Sequence, residues 1–158
     1  MKLRFELAAP WACETREELV IWRRPDWSGR IEVDPLGELP GDRKDWGVRV
    51  LSRGLPPGGD VQQTDLVNSV NHRGWPLTMV TTTVLDAARQ PVETRFTMFY
   101  EMLYFGTTIA AIVDRSGVER WEAELRAPLI EAMLGVEPSF ESAEVASIGE
   151  LWDMTPRA

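Results

Sequence analysis

Phe96-Thr97-Met98-Phe99-Tyr100-Glu101-Met102-Leu103-Tyr104-Phe105 is where the fold of this 158-residue chain is decided. Even positions carry Phe, Met, Tyr, Met and Tyr; odd positions carry Thr, Phe, Glu, Leu and Phe. A strand places alternate residues on opposite faces, so both faces of this one are largely apolar and both need cover. Upstream, Thr81-Thr82-Thr83-Val84 is β-branched, which suits a pleated surface better than a helix. Turn residues over 86–91 separate it from an extended stretch over 92–105, and Gly106 separates that from 107–113. Residues 75–114 therefore predict an antiparallel hairpin pair at the centre of a sheet.

Working outward, one clear helix follows. Ser116 with Glu119 three residues on makes a capping box, and Trp121, Leu125, Leu129 and Met133 repeat at i+4 as a stripe to pack on the sheet. Gly135 and Pro138 end it, and Pro128 inside it predicts a kink or a break. Towards the N-terminus, Leu3, Phe5 and Leu7 alternate with charged residues, residues 19–22 form an apolar run, and Ile31-Glu32-Val33 alternates again, a three-strand meander. Residues 35–60 hold six glycines and four prolines, a density that predicts loops with at most a short strand over 48–51. Asp60-x-x-Gln63 suits a helix cap, while residues 66–72 suit a strand equally well. The expected class is α+β: an antiparallel sheet of about five to seven strands with a C-terminal helix packed on it. One domain over residues 1–140 is followed by an acidic tail, 141–158, holding a small Leu151-Trp152 cluster.

Composition excludes several functions. A net charge of −8 disfavours nucleic acid and anionic membranes, and Arg23-Arg24 and Arg43-Lys44 are too short to reverse it. No apolar run approaches the roughly 20 residues of a membrane span, and Lys2, Arg4 and Glu6 interrupt any signal-peptide core, which points to the cytoplasm. Cys13 is the single cysteine, and Glu14 beside it is the wrong neighbour for an activated thiol. His72 is the single histidine, with no nucleophile motif around it; zinc needs more such ligands than the chain owns. Gly54, Gly58 and Gly59 lack the Gly-Lys-Ser/Thr of a phosphate loop. No catalytic residue, metal or cofactor is expected.

With one convincing helix for a two-faced strand, the face carrying Phe99, Leu103 and Phe105, with Glu101 among them and Trp75 nearby, is a candidate surface for a protein partner or a second copy. The alternative is that other parts of this chain cover it.

Asn71-x-x-Gly74-Trp75-Pro76, two long strands and a helix ending near Pro138-x-Phe140, with the early Pro10-Trp11, resemble the PsbP/DcrB-like group over most of residues 1–140. The resemblance implies an α/β/α-like sandwich used for binding, with no shared catalytic residues to carry over. Among soluble DcrB-like proteins it points to chaperones that shield apolar segments of type VI secretion effectors. This chain departs from many members in lacking their Pro-x-Gly-Trp, a signal peptide and a lipobox cysteine. The expectation is a non-catalytic binding or adaptor module. The alternatives are an immunity or inhibitor protein whose acidic surface blocks a basic toxin, and a hydrolase using His72 as general base.

Overall fold

The computed structural model describes residues 2–38, 43–102 and 105–140; Leu103 and the 141–158 tail lie outside the described residues. Its centre is a seven-stranded antiparallel sheet. In chain order the strands are β2 (Ala12–Arg16), β3 (Leu19–Arg23), β4 (Arg30–Glu38), β5 (Asp60–Val70), β6 (Pro76–Leu85), β7 (Pro91–Met102) and β8 (Phe105–Asp114). Their spatial order is β2-β3-β4-β8-β7-β6-β5. Two short strands, β1 (Lys2–Arg4) and β9 (Glu137–Ser139), pair separately and bring the N-terminus to the end of the last helix.

The central hairpins follow the predicted pattern. β7 pairs with β6 from Pro91 opposite Leu85 to Tyr100 opposite Leu77, and with β8 from Glu93 opposite Asp114 to Met102 opposite Phe105. The break falls between Met102 and Phe105, earlier than Gly106, which lies within β8 opposite Glu101 and Gly37. The expected N-terminal meander is present as β2-β3-β4, but Leu3 belongs to the small sheet and Ala12–Arg16 takes its place. Asp60–Val70 is a strand throughout, not a helix.

The C-terminal helix, α2, spans residues 115–134 as a 3-10 turn (Arg115–Gly117), an α-turn (Val118–Arg120), a π-turn (Trp121–Leu125) and an α-helix (Arg126–Leu134). Its cap is Asp114, not the predicted Ser116: the Asp114 carboxylate accepts from the Gly117 N–H at 3.0 Å and from Ser28 Oγ at 2.6 Å. Pro128 does not break the helix. Its ring would crowd the carbonyl of Glu124, and the wider π-turn around that carbonyl removes the conflict. The predicted stripe is buried: Trp121, Leu125, Leu129 and Met133 pack on Ile31, Val33, Leu77, Met98, Tyr100, Ile109, Ala111 and Val113. The Tyr100 hydroxyl donates to the Met133 carbonyl at 2.9 Å, fixing helix to sheet, and burial raises its pKa.

The opposite face corrects the prediction for residues 35–60. A second helix, α1 (Arg43–Leu51), lies there, and its Val50 and Leu51 cover Val80 and Phe99. The prolines of this stretch flank α1, and Gly47 is the one helix-weakening residue inside it. A Cβ at Gly47 would meet nothing within 4 Å. Gly47→Ala is therefore expected to stabilise the protein by about 1 kcal/mol, raising Tm by roughly 2–4 °C in a thermal melt. An unchanged or lowered Tm would mean that α1 does not hold this conformation in solution. With a helix on each face, the architecture is the α/β/α-like sandwich that the resemblance implies.

Candidate functional site

The five residues predicted as one partner surface do not form one. Phe99 is 5% exposed beneath α1, with Glu101 half-buried two residues along on the same face of β7. Trp75 and Phe105 pack on the other face, against the main core; the Trp75 ring meets Phe140 at 6.4 Å. Alternation through the β7–β8 turn separates Phe105 from Phe99, because Phe105 pairs with Met102 and shares its face. Leu103 is outside the described residues. The premise of a single covering helix fails on α1.

His72 sits in the β5–β6 turn with its Nε2 2.8 Å from Glu131 Oε2, both side chains open to solvent. A His–carboxylate pair is half of a general-base arrangement, but among the described residues no nucleophile joins it. Ser69 Oγ donates to the neighbouring Val70 carbonyl, and Cys13 is on β2, at the far edge of the sheet. Among the described residues, no three His, Cys, Asp or Glu side chains converge as a metal site.

Two other features stand out, and sequence reasoning missed both. The first is a cleft of about 220 Å³ between α1 and the sheet. β4 presents Arg30, Glu32 and Asp34 along one face while Ile31 and Val33 enter the main core on the other. Arg95 of β7, 6% exposed, pins the roof: it donates to the carbonyls of Leu51 at 3.4 Å, Gly54 at 3.5 Å and also Arg53, and to the Glu93 carboxylate at 2.8 Å. Arg53 reaches the mouth and pairs with Asp34. Burial lowers the Arg53 pKa; the nearby Glu32 opposes that and Arg95 adds to it. The Arg30-x-Glu32-x-Asp34 alternation was visible in the sequence, but the roof that makes it a cleft was not.

The second is the free edge of the sheet. Among the described residues β5 pairs only with β6, and residues 62–70 are exposed, including Leu66 (47%), Val67 (42%) and Val70 (60%). Residues 66–70, Leu-Val-Asn-Ser-Val, carry no charge. The other edge, β2, is guarded by Glu14 and Arg16, 3.3 Å apart, and by Glu17 and Glu18 in its turn.

The fold as a whole matches a known structure. The solution structure of cyanobacterial PsbP (CyanoP) from Synechocystis sp. PCC 6803 superposes with a TM-score of 0.64 over 87% of each chain, at 12% sequence identity. The fold is PsbP-like. No family model matches the sequence, and no curated protein does. At this identity the likeness establishes the PsbP-like fold alone. No helix among the described residues is long and apolar enough to cross a membrane.

Proposed function

We propose that the chain is a non-catalytic binding module that takes an extended segment of a protein partner onto the free edge of β5. The carrying observation is the uncharged, exposed run at residues 66–70 on that edge. An open edge offers backbone donors and acceptors in a row, and only another extended backbone satisfies them in register. Proteins ordinarily guard such edges with charge, as this one guards β2. The side chains of Leu66, Val67 and Val70 would then shield apolar groups of the incoming strand, as an adaptor or chaperone does.

Charge selects the occupant. Asp65 lies beside the run, and the chain carries −8 overall, so a segment flanked by Lys or Arg is favoured. A second copy would bring two chains of −8 and two Asp65 side chains together. The arrangement gives less to catalysis: among the described residues the one histidine has a carboxylate partner and no nucleophile beside it.

The probe is a soluble peptide of alternating Val and Thr with Lys at both ends, titrated into the isotopically labelled full chain. Amide shifts and new exchange protection are expected over residues 62–70. Val67→Lys with Val70→Lys should weaken binding roughly tenfold or more and leave Tm within about 2 °C, since both positions are exposed. Binding indifferent to that double change, or shifts centred elsewhere, would refute the edge as the site. Concentration-dependent pairing of β5 with itself would refute the choice of occupant.

A further inference from the structure

The cleft under α1 lies apart from β5, on β3, β4, β8 and β7, and its chemistry is different. We propose that it binds a small organic monocarboxylate, with the carboxylate on Arg53 and an apolar body on the cleft floor.

Size and lining set the body. Leu19, Ala110 and Ile112 form the floor, and Val50 and Leu51 the roof. At about 220 Å³ the space exceeds the roughly 150 Å³ that holds a benzene ring, so one ring or a branched aliphatic group fits.

Charge sets the head group. Three arginines (Arg30, Arg53, Arg95) and two acids (Glu32, Asp34) line the cleft, and Glu93 beside Arg95 balances the third arginine, so the site is locally neutral in a chain of −8. Arg95 is committed to three carbonyls and Glu93, and Arg30 to Glu32 at 2.7 Å. Arg53 remains 42% exposed and, among the described residues, places a single nitrogen on Asp34; a guanidinium has five N–H donors in a fork that suits a carboxylate. Burial disfavours its charge, Glu32 opposes that and Arg95 adds to it, and the opposite charge of an incoming anion would offset the remaining cost. Glu32 and Asp34 flank the spot and would repel a second negative charge, which excludes a phosphate dianion. Both acids already have arginine partners, so a cation gains little.

The test is a titration of the full chain with phenylacetate and, as control, phenylacetamide, followed by amide shifts. Phenylacetate should perturb Arg53, Thr97, Thr108 and Ala110 and saturate, while the neutral amide should bind at least about tenfold more weakly, the loss expected for one charge-assisted interaction. Arg53→Gln should weaken phenylacetate by a similar factor. Because that change also removes the Arg53–Asp34 pair, Ala110→Leu serves as a second variant: it fills the floor, keeps every charge, and should abolish binding. Equal binding of acid and amide, shifts outside the cleft, no saturable shift, or undiminished binding in Ala110→Leu would each overturn the proposal. None of these outcomes depends on the β5 edge.

Discussion

Replacing Trp121 with alanine is expected to destabilise the protein by about 4 kcal/mol, in the range for truncating a buried aromatic, and to lower Tm by roughly 8–16 °C. Trp121 is 1% exposed and lies at the start of the π-turn in α2. Its ring stacks on Trp27 (centroids 5.9 Å, planes 13° apart) and on Phe96 (5.3 Å, 23°), so it joins the β3–β4 turn to β7. Trp11 meets Trp27 edge-on at 5.9 Å, and Arg24 over Trp11 and Arg126 over Phe96 close the two ends of the ladder. The indole N–H of Trp121 has no hydrogen-bond partner among the described residues, so its removal orphans no acceptor and the loss is one of packing. Trp27 is held in place by donating to the Gly117 carbonyl at 3.0 Å, and by Gly29 and Gly117, where a Cβ would come within 2.4 and 2.6 Å of its ring. The alanine cavity therefore sits among fixed neighbours that have little room to collapse into it. Urea and thermal melts measure the cost, and near-ultraviolet circular dichroism reports loss of the stack. A fall in Tm below about 4 °C would show that Trp121 does not join these layers; Trp121→Phe should recover part of the stability.

The same ladder explains what the sequence made legible. The i+4 stripe of α2 and the two-faced pattern of residues 96–105 are periodic signals over long windows, and each survived folding because the buried face is wide. α1 gave no such signal. Among its described side chains, Val50 and Leu51 enter a core cluster, at its C-terminal end, and a two-residue contact has no period to read. Its burial of Phe99 then removed the predicted docking face, because that prediction depended on counting helices. The cap was misplaced for a related reason: Ser116-x-x-Glu119 fits the pattern, but Asp114 ends β8 at the spot where Gly117 and Ser28 both point donors at it. Local pattern could not see a donor 86 residues away in sequence. The β5 edge and the cleft depend on which strand ends the sheet and what roofs β4, and both are set by pairing order, which no window of residues contains.

A second large effect is expected from the one short motif that the sequence singled out around Trp75. Asn71→Ala should cost about 3 kcal/mol and lower Tm by roughly 6–12 °C, because the 4%-exposed side chain holds three hydrogen bonds at about 1 kcal/mol each. Its Oδ1 accepts from the backbone N–H groups of Arg73 and Trp75, both at 2.9 Å, and shapes the turn in which Gly74 takes φ +84°. Its Nδ2 donates to the Val136 carbonyl at 2.8 Å. Around it, the His72 N–H donates to the Leu134 carbonyl at 2.9 Å and Arg73 Nε to that of Gly135 at 3.0 Å, so the turn caps the C-terminus of α2. The exposed His72–Glu131 pair adds little by comparison. Asn71→Asp separates the two halves of this role. It keeps both acceptor bonds, which favour the charged form, but turns the donor into a carboxylate oxygen facing the Val136 carbonyl; that repulsion together with burial should outweigh them and raise the introduced group's folded pKa above its unfolded value. A raised pKa makes the folded state bind the proton more tightly, and stability should grow as pH falls: Asn71→Asp should lie closer to wild type near about pH 4 than near about pH 7. Asn71→Ala should show no such extra dependence. If both variants unfold within about 0.5 kcal/mol of wild type at every pH, the turn does not hold the helix end, and the motif's role lies elsewhere.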